Sequence, residues 1–183
     1  MLTDNTAIII PAYNEEKNLL KLVKSIRKNI NSYIIIIDDS VSSKTYDIFK
    51  KIKFKKLLFF HRKKKLGRGS AVLFGLKKII KKKNISCFVE MDADFSHSPK
   101  EMKKHIEKFR NDSLDLLICS RYLSKSKILN WPPQRKFLSK FTNILARFLL
   151  GVPVSDYTNG FRFYSKKAVK LILSKCNNVS GNF

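Results

Sequence analysis

The sequence predicts an α/β fold in which helices flank a mostly parallel sheet. Two observations carry this. Short apolar runs alternate with amphipathic stretches at helical spacing from end to end, a pattern that packs as right-handed crossovers above parallel strands. Polar clusters then follow the apolar runs directly, where such a sheet opens its ligand crevice.

Taken in order, Ala7–Ile10, Tyr33–Ile37, Leu57–Phe60, Cys87–Met91 and Leu114–Cys119 read as buried strands. The first helical stretch has Asn14 as a cap and an apolar face of Leu19, Leu20, Leu22, Val23 and Ile26. The second begins near Ser43 and carries Tyr46, Ile48, Phe49 and Ile52. The third follows Gly69, with Val72, Leu73, Leu76, Ile79 and Ile80. The fourth opens on Ser98 as cap and Pro99 at the first helical position, with Glu101 close behind. No repeat, linker or second domain interrupts the alternation.

At 183 residues, 44% hydrophobic and 11% aromatic, the chain suits one domain with a substantial core and is not a disordered segment. Cys87, Cys119 and Cys176 have no metal-ligand spacing and read as reduced thiols of a cytosolic protein. A strand-like segment begins by Ala7, leaving no room for a signal peptide. No run reaches the roughly 18 apolar residues of a membrane span; the stretch from Phe141 to Val154 is broken by Arg147. The net charge of +24 suggests a polyanion partner. Yet 30 of the 38 basic residues are lysine, so most of it reads as solvated surface. The 8 arginines are the more telling cations, because a planar fork grips phosphate bidentately.

The densest chemistry lies in Met91-Asp92-Ala93-Asp94-Phe95-Ser96-His97. Asp92 and Asp94 end a strand on one face, where two carboxylates repel unless a cation lies between them. A Mg²⁺ ion takes one or two carboxylates and completes its shell with substrate phosphates, which points to a nucleoside diphosphate. A solvated turn is the plainer reading of Asp-x-Asp alone. Similarly, Tyr13 and Glu15 fit a helix entry as well as a binding loop, and His97 fits a structural hydrogen bond as well as a ligand. The two glycines of Lys65-Leu-Gly-Arg-Gly-Ser-Ala71 fit a tight turn or a close packing contact, and Arg62, Lys63, Lys64, Lys65 and Arg68 around them fit phosphate contact or a solvated basic turn.

The motifs come in a telling order: Pro11-Ala-Tyr-Asn-Glu15, Asp38-Asp39, the Lys65 segment, Met91–His97, Cys119-Ser-Arg-Tyr122, Trp131-Pro-Pro-Gln-Arg135 with Ser139 and Asn143, and Asp156-Tyr-Thr-Asn-Gly-Phe-Arg162. Over about residues 7 to 175 the set resembles glycosyltransferase family 2, in its dolichol-phosphate mannosyltransferase (polyprenol monophosphomannose synthase) branch. The resemblance implies a single GT-A nucleotide-sugar-binding (Rossmann-like) domain over 1–183, without the C-terminal part usual in the family. It implies that Pro11, Tyr13, Glu15, Ile37 and Asp39 hold base and ribose. Asp92, Ala93, Asp94 and Ser96 would then face the diphosphate, with Asp92, Asp94 and Ser96 on Mg²⁺ or Mn²⁺. Arg121 would also touch the donor, and Arg121, Arg135 and Ser139 would receive the acceptor phosphate. The catalytic roles fall to Asp94, Arg121 and Arg135.

The implied substrates are GDP-mannose and a polyprenyl or dolichyl phosphate, met by a peripheral protein at the cytoplasmic face of a membrane, with no nucleic acid. A phosphate acceptor is largely ionised near neutral pH and needs no protein base, in keeping with the lack of the Glu-Asp pair or Gln-x-x-Arg-Trp of processive synthases. Attack by that phosphate inverts an α-linked donor in one step. Phe137, Leu138, Phe141, Ile144, Leu145, Phe148 and Leu149 form a helical stripe flanked by Lys136, Lys140 and Arg147. It fits a core helix and equally a helix resting at a membrane interface. One departure from the family is Ser40-Val41-Ser42-Ser43-Lys44-Thr45, where Asn-Ser-Pro-Asp-Gly-Thr is common. Two alternatives stand beside this reading: a polyprenyl-phosphate glycosyltransferase using a UDP-sugar, and a non-catalytic polyanion- or membrane-binding protein on the same fold.

Overall fold

The computed structural model describes residues 5–123 and 132–176. In chain order the elements are β1 (Thr6–Ala12), α1 (Glu16–Asn29), β2 (Tyr33–Asp38), α2 (Lys44–Lys50), β3 (Leu57–His61), α3 (Arg68–Ile79), β4 (Cys87–Glu90), α4 (Met102–Asn111), β5 (Leu116–Ile118), α5 (Pro133–Leu150), β6 (Arg162–Ser165) and α6 (Lys166–Lys175). The six strands form one sheet in the order β3-β2-β1-β4-β6-β5. Strands β3, β2, β1 and β4 are mutually parallel, and β6 runs antiparallel to both neighbours.

Strand alternation divides the core into two layers. Ile8, Ile10, Ile34, Ile36 and Val89 face Leu19, Leu22 and Ile26 of α1 and Met102 and Ile106 of α4. Ala7, Ile9, Ile35, Ile37 and Phe88 face Ala71, Val72 and Leu76 of α3 and Val169 of α6. Helix α3 approaches the sheet most closely at Gly75, where a Cβ would lie 2.7 Å from Ile37 Cδ1 and 2.8 Å from Ile9 Cγ2. Cys87 and Cys119 lie on this scaffold with their thiols pushed up to about 12 by burial.

All five expected strands form, within a few residues of the expected bounds. Strand β6 is new. It inserts between β4 and β5, and the last parallel neighbour of β4 is thereby displaced to the edge. Three helix starts also move. Helix α3 begins at Arg68, so Gly69 lies inside it. Asn14 has a left-handed backbone (φ 57°) and lies outside α1, which Glu15 precedes. Ser98 and Glu101 close a separate turn through Glu101 N–H to the Ser98 carbonyl (3.2 Å), so α4 begins at Met102.

The apolar stripe of α5 is not core. Phe137, Leu138, Phe141, Ile144, Phe148 and Leu149 are each more than half exposed, and Phe148 is 83% exposed. Only Asn143 of this helix is buried. Its side-chain amide donates to the Ser139 carbonyl (2.8 Å) and its carbonyl oxygen accepts from Tyr157 N–H (2.6 Å), which docks α5 on the 152–160 loop.

Candidate active site

The carboxyl ends of β1, β2 and β4 and the loop before α3 enclose a cavity of about 230 Å³. Its β1 side is Pro11, Ala12, Tyr13 and Glu15, its floor is Asp39, and its far wall is Asp92, Ala93 and Asp94. Lys65, Gly67, Arg68 and Ala71 close it from the α3 side. The crevice rule for parallel sheets places it here. Trp131 lies outside the described residues.

Tyr13 is 41% exposed, with the Lys65 ammonium 4.8 Å from its ring centroid. Glu15 accepts from the Asn18 side-chain amide (3.1 Å). Asp39 lines the cavity but its oxygens are engaged. Arg62 Nε and Nη2 donate to its two oxygens (2.5 and 2.6 Å), and Leu66 N–H adds a third bond (3.0 Å). Asp39 thus anchors the basic turn as well as facing the cavity. Ile37 is fully buried beneath α3 and does not line the cavity.

The two carboxylates of the Asp-x-Asp motif have different surroundings. Asp92 Oδ1 accepts from Arg68 Nε (2.8 Å), and its Oδ2 lies 3.3 Å from His97 Nε2. Burial raises the Asp92 carboxyl, but the His97 hydrogen bond and the Arg68 guanidinium outweigh it and hold the group at about 2. His97 stacks on Phe161 at 4.8 Å, which fixes its ring against Asp92. Asp94 is exposed; its Oδ1 accepts from Ser96 N–H (2.9 Å) around Phe95, whose φ of 63° is costly for an aromatic residue. The other oxygen of Asp94 has no protein partner among the described residues. No cluster of three or more His, Cys, Asp or Glu suited to a metal occurs among those residues. A hard divalent ion still fits. Asp94 offers an open oxygen at the cavity wall, Asp92 a second carboxylate, and such ions draw their remaining ligands from phosphate and water.

Arg68 lies between three acceptors. Besides Asp92 it donates to Glu90 Oε1 and, from Nη2, to the Gly160 carbonyl (3.2 Å). Glu90 is 4% exposed and also accepts from the Tyr164 hydroxyl (2.6 Å). Burial opposes the charge on Arg68, but Glu90 and Asp92 prevail and raise its pKa. A Cβ at Gly160 would overlap this guanidinium, lying 2.7 Å from its Cζ. Glu90 was legible only as an acid inside an apolar strand, a placement that calls for a buried cationic partner.

On the other side of the same loop, Asp156 holds Arg121. Arg121 Nε and Nη2 donate to the two Asp156 oxygens (both 2.8 Å), and Nη2 reaches Thr158 Oγ1 (2.6 Å). The bond to Asp156 raises the Arg121 pKa, and the charge of Asp92 adds to the effect. Burial raises the Asp156 carboxyl, yet Arg121 brings it below its usual range. Tyr122 O–H donates to Ser139 Oγ (2.6 Å), tying α5 to the end of β5. Arg135 lies one turn earlier on that helix. The Tyr122 ring centroid also lies 5.9 Å from Arg121 Cζ, so Arg121 and Ser139 share Tyr122 as a neighbour.

A sequence profile for glycosyl transferase family 2 matches residues 7–173. The chain belongs to this family. It is 34% identical over 174 residues to a polyprenol monophosphomannose synthase of Mycolicibacterium smegmatis, covering 93% of this chain and 65% of that one. It is also 34% identical over 170 residues to a dolichol-phosphate mannosyltransferase of Pyrococcus furiosus, covering 90% of this chain and 47% of that one. The chain thus spans about half to two thirds of these relatives. Among solved structures, the fold matches glucosyl-3-phosphoglycerate synthase from Mycobacterium tuberculosis in complex with Mn²⁺, UDP-glucose and phosphoglyceric acid, with TM-score 0.61 and 17% identity over 90% of this chain and 57% of that one. It also matches S. aureus TarS with UDP, with TM-score 0.58 and 17% identity over 96% of this chain and 50% of that one.

Proposed function

We propose that this domain transfers mannose from GDP-mannose to a polyprenyl or dolichyl phosphate. The observation that carries the reading is the division of polar groups around one cavity. Carboxylates and the exposed Tyr13 ring line it, while Arg121, Ser139 and Arg135 lie on the neighbouring β5–α5 side. The two mannosyltransferase relatives support the choice of sugar and lipid.

In this reading Tyr13 stacks against the base, and Glu15 and Asp39 accept from base or ribose, with Pro11 shaping the pocket. Asp92, Asp94 and Ser96 hold Mg²⁺ or Mn²⁺, Asp94 most directly through its open oxygen. When bound, that ion neutralises the charge of the departing diphosphate. Arg121, aimed by Asp156, and Arg135 and Ser139 receive the acceptor phosphate. One oxygen of that phosphate forms the new bond to the anomeric carbon as the bond from that carbon to the diphosphate breaks, giving a β-linked lipid-phosphate sugar. No side chain need remove a proton, because the acceptor arrives ionised.

The exposed stripe of α5, flanked by Lys136, Lys140 and Arg147, rests on the membrane surface in this reading and brings the acceptor end of the site to the lipid. No helix among the described residues is long and apolar enough to cross a membrane; in this reading the domain meets the cytoplasmic face of the membrane peripherally.

Calorimetry with GDP-mannose, UDP-glucose and UDP-N-acetylglucosamine, each with Mn²⁺ or EDTA, tests the donor. Metal-dependent binding of GDP-mannose, followed by mannosyl transfer to a short polyprenyl phosphate, is expected. Binding of a UDP-sugar instead would reassign the sugar, and binding of no donor would refute the enzymatic reading.

A further inference from the structure

The pair Asp38 and Asp39 divides its work. Asp39 faces the cavity, whereas Asp38 is fully buried behind it and touches no cavity space. The register of β2 and β3 sets Asp38 beside His61. His61 Nδ1 lies 2.9 Å from Asp38 Oδ2, with the two side chains 4% and 0% exposed. The remaining oxygen, Oδ1, accepts from both the hydroxyl and the N–H of Ser40 (2.5 and 3.1 Å). The Ser40 hydroxyl oxygen in turn accepts from Asn14 N–H (2.8 Å). Asn14 has φ 57° and lies between Tyr13 and Glu15, the two residues that present a ring and a carboxylate to the cavity.

We propose that His61, Asp38 and Ser40 form a buried positioning relay for the donor loop, and that Ser40 sets where Tyr13 and Glu15 meet the nucleoside half of a nucleoside diphosphate. The inference rests on the reading that this cavity takes the donor nucleotide. Three features support it. Asn takes the left-handed region more readily than other non-glycine residues, and the long-range bond that holds the Asn14 backbone there comes from Ser40. His61 Nε2 is buried without a partner among the described residues, beside the Tyr46 ring at 5.6 Å. A desolvated nitrogen costs stability, and the bond to Asp38 is what the ring provides in return. Finally, Asn14 is flanked by Tyr13 and Glu15, both of which line the cavity, so the bond from Ser40 acts at the cavity edge itself.

The relay acts on Tyr13 and Glu15, not on the Asp92–Asp94 wall, and the test uses that separation. Affinities for GDP, UDP and inorganic pyrophosphate, each with Mn²⁺, are measured by calorimetry alongside thermal melts. The wild type is expected to bind one nucleoside diphosphate more tightly than pyrophosphate. Ser40→Ala should weaken that nucleotide about tenfold, the usual effect of one lost hydrogen bond to a positioned group, and leave pyrophosphate within twofold. Ser40→Thr should restore binding to within threefold. His61→Leu should copy Ser40→Ala, and His61→Asn, whose amide nitrogen falls near Nδ1, should not; this pair also serves if Ser40→Ala folds poorly. Equal losses for nucleotide and pyrophosphate, no loss at all, or failure of rescue by Ser40→Thr would overturn the relay. A wild type that binds neither nucleotide would instead overturn the cavity assignment itself, and the relay with it.

Discussion

Replacing Arg68 by Leu removes the one side chain among the described residues that bridges Glu90 and Asp92. Breaking a buried ion pair from one side costs about 3–5 kcal/mol, since a desolvated charge is left behind. Here Glu90 is 4% exposed but retains the Tyr164 hydroxyl. Asp92 is a third exposed and retains His97. Those remaining partners place the expected loss at the low end, about 3 kcal/mol. For a domain of this size that is a fall of about 6–12 °C in Tm. Urea denaturation at pH 7 of wild type, Arg68→Leu, Glu90→Gln and the double variant gives the coupling directly. In the Glu90→Gln background, Arg68→Leu should cost at least about 1.5 kcal/mol less than in the wild type. A loss below about 1 kcal/mol, or one that Glu90→Gln leaves unchanged, would refute the bridging role of Arg68.

Three other outcomes are expected. Asp92 and Asp156 both have folded pKa values below their ordinary 3.8, so each contributes stability above that value and loses it as pH falls through the folded pKa, about 2 for Asp92. Melting temperature should therefore drop between about pH 4 and 2, with a shallower drop in Arg121→Gln. Phe148→Asp should reduce binding to anionic vesicles at least about tenfold, because burying one Phe contributes about 1.5–3 kcal/mol. Its melt should stay within about 1 °C of wild type, as an 83% exposed side chain holds little of the fold. Gly75→Ala should cost about 1–2 kcal/mol by overpacking against Ile9 and Ile37. Adding Ile37→Val, which removes the crowded Cδ1, should recover part of that loss in chemical denaturation.

The strands β1 to β5 were legible because each is an apolar run with polar residues at its end, and burial on both faces demands such a run. Asp92, Asp94, Tyr13, Glu15 and Asp39 share one cavity because each follows such a strand. Strand β6 was hidden. Arg162-Phe-Tyr-Ser165 is short and has polar ends, and nothing local tells that it pairs with β4. The apolar face of α5 was ambiguous for a different reason: periodicity reports that a stripe exists and not what covers it. Nor did the sequence show which carboxylate each arginine would meet. Arg68 with Glu90 and Arg121 with Asp156 are contacts between distant segments, and they follow from topology.

The insertion of β6 has a bearing on how the molecule comes into being. The β4 edge stays open until residues 162–165 arrive, and only then does β5 gain a neighbour. The Gly160 carbonyl that steadies Arg68 comes from 92 positions further along the chain. During synthesis from the N-terminus, the half with β1, β2 and β3 can therefore assemble early from local crossovers. The seam between the cavity and the β5–α5 side closes late, through long-range pairings that are entropically slow. A nascent chain in that interval exposes a bare strand edge beside Glu90 and Asp92. The charged side chains there, Arg68 with Glu90 and Asp92, then help to keep other strands from docking before β6 does.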